Sequence, residues 1–244
     1  LQHFKDAQRI ATMPKKTPRK AEGFIKEKVR DSVKYRYFPE LWYLIDNFFS
    51  TVRNKHLLEI GYGMGLIGEA FGKTGWRLTC LDQSISSLAS LKERLSQANV
   101  HATFEQSDLL KFPLASHSFD AAICINTLEF QTRPSDTLRE ISRVLRPGGR
   151  AAIVAFNKFS PWGVEAVARN VRDVGRSESQ YRAFAKYEFV KMLKMAGFSI
   201  ISVKERACYL PGSKNPNGIT LPLTGAFVGL VTKPAANGQP APLA

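Results

Sequence analysis

"LLEIGYGMGLIG", Leu57 to Gly68, joins an apolar run, one carboxylate and four glycines in twelve residues. The opening "KHLLEI" is apolar on both faces of a strand, and "GLIGEAFGK" resumes with helical spacing. A buried strand passing through glycines into a helix brings backbone N–H groups close to whatever lies at the strand's carboxyl end. Such a turn is expected at the edge of a parallel sheet.

The surrounding chain repeats that alternation. "WRLTCL" predicts a second strand and "SISSLASLKERLSQ" a helix capped by Ser84, with Ile85, Leu88, Leu91 and Leu95 facing inward. "HATFEQSD" and "FDAAICIN" predict a third and a fourth strand. "PSDTLREISRVL" predicts a helix burying Leu138, Ile141, Val144 and Leu145, "RPGG" ends it, and "RAAIVAFN" is the fifth strand. Further on, "YEFVKMLKMAGF" is a helix ending at Gly197. "SIISVKERACYL" and "TGAFVGLVTK" are two closing strands with no helix between them, which suits antiparallel pairing. Two-faced apolar strands separated by helices define a doubly wound α/β domain.

Ahead of this domain, residues 1–23 are basic and broken by proline, as a flexible arm would be. Residues 24–50 carry two amphipathic helical stretches, "FIKEKVRDSVKYRYF" and "ELWYLIDNFF", read as a helical cap that packs on the core. The domain itself runs over 51–233, with 158–185 as a polar, helix-capable insertion covering its substrate side. Residues 234–244 are a Pro/Ala-rich tail expected to be disordered.

Composition narrows the function classes. The 244 residues are 44% hydrophobic and 23% charged, the balance of a globular protein. No apolar run reaches the roughly 20 residues needed to span a bilayer. Cys80, Cys124 and Cys208 and the four histidines have no ligand spacing, so neither a disulfide framework nor a bound metal is expected, and a reducing, cytoplasmic setting fits best. The net charge is +14, and residues 1–36 hold eleven Lys/Arg against four Asp/Glu. Such an arm suits an anionic partner or simple solvation.

The glycines alone fit two ligands. Gly63-x-Gly65-x-x-Gly68 has the dinucleotide spacing, whereas Glu59-x-Gly61-x-Gly63-x-Gly65 has that of a methyltransferase. In the dinucleotide fingerprint the first glycine directly follows the strand; here that is Gly61, and counting on from it puts Leu66 where the third glycine belongs. Glu59 would repel a pyrophosphate and attract an ammonium group. Asp82, about 20 residues beyond the glycines, can take both hydroxyls of a ribose. Asp108, after the third strand, can accept from an exocyclic amine, with the N–H of Leu109 beside it.

From about Leu57 to Asn157 the chain resembles a small class I S-adenosylmethionine-dependent methyltransferase of the type 11 kind. The resemblance rests on "LLEIGYGMG", "LDQS", "QSDLLKFPLASHSFDAAICINTLEF" and "LREISRVLRPGGRAAIVAFN". It implies a Rossmann-like, doubly wound, seven-stranded, mostly parallel sheet whose last strand is antiparallel, and S-adenosylmethionine as cofactor. By resemblance Glu59 and the loop of Gly61, Tyr62, Gly63 and Gly65 hold the methionine part, Asp82 the ribose with Gln83 beside the adenine, and Asp108 with Leu109 the adenine. Asn126 forms the floor beneath the sulfonium. Gln83 is more polar than usual for its place, and Glu129 with Phe130 stands where a His-rich turn is common.

Methyl transfer from a sulfonium is an in-line displacement, so the protein's task is mainly to position the acceptor. An acceptor that loses a proton calls for a base, and Glu129 is the candidate. Tyr62 and Phe130 can offer ring faces to a cation. The cap and the insertion supply Tyr35, Tyr37 and Trp162 as candidate substrate contacts, which favours a planar or apolar small molecule. An RNA acceptor met by the basic arm is the alternative, although "NTLEF" is not the "NPPY" or "DPPY" turn of base-amine methylation. A non-catalytic adapter with the same fold is a further one.

Overall fold

The computed structural model describes residues 38–61, 65–160, 163–164, 182–206 and 225–235. The arm, the first amphipathic stretch, Tyr35, Tyr37, Tyr62, Gly63, Trp162 and most of the insertion and tail lie outside the described residues.

Seven strands form one sheet: β1 (His56–Ile60), β2 (Arg77–Asp82), β3 (Ala102–Gln106), β4 (Phe119–Ile125), β5 (Leu145–Phe156), β6 (Ser199–Arg206) and β7 (Ala226–Thr232). Their order is β3-β2-β1-β4-β5-β7-β6. Pairing is parallel from β3 to β5, and β7 runs antiparallel to both β5 and β6. This is the mostly parallel, Rossmann-like sheet with a reversed last strand that the sequence implies. The chain crosses over between β1 and β4, and at such a crossover the strand exits diverge to leave a crevice at the carboxyl edge.

Helices cover both faces. On one lie α1 (Phe38–Phe49), α2 (Leu66–Lys73) and α3 (Ile85–Gln97); on the other, α4 (Pro134–Val144) and α5 (Lys186–Met195). Alternation along β1 separates the two cores, with Leu57 in the first and Leu58 and Ile60 in the second.

α1 shows why the second amphipathic stretch folds onto the core. Leu41, Trp42, Ile45, Phe48 and Phe49 recur at helical spacing and are buried. Trp42 and Phe49 meet Phe71 at ring-centroid distances of 4.6 and 5.6 Å, and Phe49 meets Trp76 at 5.9 Å. The helix carries no basic residue in its last turn. Arg150, midway along β5, supplies the missing cation, donating from Nη1 to the Phe48 carbonyl and lying 5.2 Å from the Phe48 ring.

Two sequence expectations are corrected here. Ile85 does not face inward: at the first position of α3 it is 66% exposed, while Leu88, Leu91 and Leu95, further along the helix, are buried. "RPGG" does not separate helix from strand. α4 ends at Val144, Leu145 is already extended, and the glycines sit in an irregular opening of β5 where pairing jumps from Phe119↔Leu145 to Ala121↔Arg150.

Candidate functional site

The strand exits are aligned because the ladder continues one bond past each strand. Gly61 N donates to Leu81 O at 2.9 Å, Ser107 N to Asp82 O at 3.1 Å, and Asn126 N to Val154 O at 3.0 Å. Glu59, Gly61, Asp82, Asp108 and Asn126 are thereby brought to one edge, across four neighbouring strands.

Gly61 sits at φ +67°, and a Cβ built there would lie 2.1 Å from Thr127 Oγ1. Thr127 occupies that space while donating to Ile60 O at 3.1 Å, so it ties the β4 exit to the end of β1. Gly65 is left-handed at φ 57° and begins α2 without a side-chain cap. Glu59 is 5% exposed and lies beneath α2, where it accepts from the Gly68 N–H. Burial raises its pKa to about 7, opposed by that hydrogen bond and by Arg94, with Glu69 acting in the same direction as burial.

Asp82 and Asp108 each use one oxygen in their own turn. Ser84 N donates to Asp82 Oδ1 at 2.8 Å and Leu110 N to Asp108 Oδ1 at 3.0 Å. Asp108 is exposed and Leu109 buried, while Gln83 is exposed with its carbonyl accepting from Gln106 Nε2 at 3.3 Å.

The β4 exit differs. Asn126 is left-handed at φ +51°, and both polar atoms of its amide are buried without a hydrogen-bond partner. Glu129, in the short 3₁₀ turn Leu128–Phe130, is fully buried. Its Oε1 accepts from Phe156 N at 2.7 Å, its own carbonyl accepts from Arg182 N at 2.8 Å, and Oε2 has no partner. Burial pushes its pKa up to about 8, against the Phe156 N–H and its own backbone N–H. A carboxyl so enclosed joins the β4 turn to the end of β5, and its burial favours the protonated form. Phe130 beside it is 50% exposed.

Beyond β5 a groove of about 560 Å³ is lined by Asn157, Phe159, Tyr187, Val190 and Phe227, with Lys186 and Glu205 paired at 2.6 Å on its rim. Sequence reasoning missed Thr127 and this groove. Only the meeting of β1 with β4, and of α5 with β7, creates them.

Among the described residues no His/Cys/Asp/Glu group could hold a metal, and no helix is long and apolar enough to cross a membrane.

Residues 58–153 match the model of a methyltransferase domain family. That match, together with the sheet order and the reversed β7, supports a class I S-adenosylmethionine-dependent methyltransferase domain over this stretch. It is 27% identical over 108 residues to a ubiquinone biosynthesis O-methyltransferase of Coxiella burnetii, covering 44% of this chain and 46% of that one. It is 29% identical over 164 residues to the 27-O-demethylrifamycin SV methyltransferase of Amycolatopsis mediterranei, covering 63% and 57%. The chain thus matches about half the length of these relatives. Among solved structures, an S-adenosylmethionine-dependent methyltransferase of Mesorhizobium loti superposes with a TM-score of 0.63 at 17% identity, covering 84% of this chain and 99% of that one, a likeness of fold.

Proposed function

We propose that the protein transfers a methyl group from S-adenosylmethionine to a small-molecule acceptor. The observation that carries this reading is the Asn126 amide, buried without a partner on a left-handed backbone at the exit of β4, the strand beside the glycine turn of β1. Strained backbone and unsatisfied polar atoms persist where a ligand completes them. In this reading Gly61, Tyr62, Gly63 and Gly65 cradle the methionine part and Glu59 supports that loop from beneath. Asp82 takes the ribose, Gln83 and Asp108 with the Leu109 N–H flank the adenine, and Asn126 closes the floor.

The bound cofactor would supply an electrophilic methyl on a sulfonium. The chain's own residues have to align the acceptor and exclude water. The groove beyond β5 is within the range of small-molecule sites, roughly 300–1,000 Å³, and its aromatic walls suit an apolar or planar acceptor. The relatives support that class by their names, one acting in ubiquinone biosynthesis and one on a demethylrifamycin.

Calorimetric titration with S-adenosylhomocysteine beside NADH tests the cofactor. Micromolar affinity for the first alone is expected, and preference for NADH would remove the reading. Transfer of labelled methyl to RNA but to no small molecule would replace the acceptor class.

A further inference from the structure

Helix α2 starts on a residue that cannot cap it. Gly65 has no side chain, so the first N–H groups of α2 have no local acceptor. A Ser, Thr or Asp at that position would ordinarily accept from the third helical residue, which here is Gly68. That acceptor comes instead from β1: the Glu59 carboxylate receives the Gly68 N–H. A Cβ at 68 would stand 2.1 Å from Glu59 Oε2 and 2.9 Å from its Cδ, so a side chain could enter only by displacing this buried carboxyl. On the other side Cys80, paired with Glu59 across the β1–β2 ladder, brings its Sγ to 4.0 Å from the same oxygen.

We propose that Glu59 is a positioning residue that caps α2 from the neighbouring strand, fixing the helix side of the glycine stretch, and that residue 68 is glycine to admit this carboxylate rather than a ligand's phosphate. The last glycine of the apparent dinucleotide pattern is thereby accounted for within the protein. Two fixed points bracket the glycine stretch, Thr127 against Gly61 and Glu59 against Gly68. Glu59 serves the cofactor through that geometry and not through its charge. The proposal rests on the cofactor reading only for its binding readout.

Four variants test it: Gly68→Ala, Glu59→Gln, Glu59→Ala and the double Glu59→Ala/Gly68→Ala, each measured for S-adenosylhomocysteine affinity and for melting temperature. Gly68→Ala should weaken binding by about tenfold or more and lower the melting temperature, and removing the carboxylate in the double variant should recover part of both, a strong coupling between touching residues. Glu59→Gln, which keeps an acceptor oxygen without charge, should bind within about threefold of the parent, since an intact hydrogen bond retains most of the clamp's worth. Losses in the double variant equal to the sum of the singles would overturn the proposal. So would a tenfold loss in Glu59→Gln, which would mean that the charge meets the ligand. If the parent binds no S-adenosylhomocysteine, the cofactor reading fails, and coupling in melting temperature alone still decides for or against the clamp. Should Gly68→Ala not fold, folded double variant is the expected result, and its absence counts against the proposal.

Discussion

The two halves of the carboxyl edge are built on different terms. On the β1–β2–β3 side the acidic groups have backbone donors close at hand: Asp82 with Ser84, Asp108 with Leu110, Glu59 with Gly68. On the β4–β5 side the Asn126 amide and Glu129 Oε2 are buried without partners, and Glu129 reaches Phe156, 27 residues away. The first side is pre-shaped by turns, whereas the second carries unsatisfied polar atoms that a ligand or an ordered water would complete. An edge divided in this way has one half whose carboxylates are already held by backbone donors and another whose polar atoms are left to be completed on binding.

The largest effect should come from the seam between the halves. Gly61→Ala forces a Cβ into Thr127 at a left-handed position, a cost of about 3 kcal/mol or more, so thermal melting should fall sharply and cofactor binding with it. An unchanged melting temperature would dissolve the seam. Asp82→Ala should reduce S-adenosylhomocysteine affinity by about tenfold or more while the fold survives, because a ribose loses its charged acceptor. Retained affinity in calorimetry would shift the ribose away from the β1–β2–β3 side as drawn.

Glu129→Gln probes the other side through pH. The Glu129 pKa rises from an ordinary 4.5 to about 8 on folding, so between those values the folded chain holds a proton that the unfolded chain has lost. Stability from this group is full below about pH 4.5 and declines as pH rises through about 8. The parent should therefore lose melting temperature relative to Glu129→Gln across that window, by an amount on the order of 10 °C. Parallel melting curves from pH 5 to 8.5 would show that the group is not held protonated. The smallest effect on stability is expected from Phe130→Ala, within about 0.5 kcal/mol because the ring is half exposed. Its consequence should appear in acceptor preference, measured with a panel of planar small molecules. A change in cofactor affinity instead would place the ring in the first half.

Much of the β1–β2–β3 side was legible before any tertiary contact was known, because its signals are local. A buried strand followed by glycines, and an aspartate two residues before the N–H it accepts, are features of spacing in "LLEIGYG", "LDQS" and "SDLL". Helix faces were legible for the same reason, as with Leu88, Leu91 and Leu95. Ile85 shows the limit: periodicity assigns it to the inner face, yet at the first position of α3 it is left exposed.

By itself the sequence determined the order of strands and helices, the reversed last strand and the aspartates at successive strand ends, since hydrophobic period and turn residues act over a few neighbours. Tertiary structure alone decided what stands against Gly61 and Gly68, and that Glu129 is enclosed with its pKa raised by burial. Those outcomes depend on residues between 9 and 67 positions apart being pressed together, and on burial that no local spacing encodes.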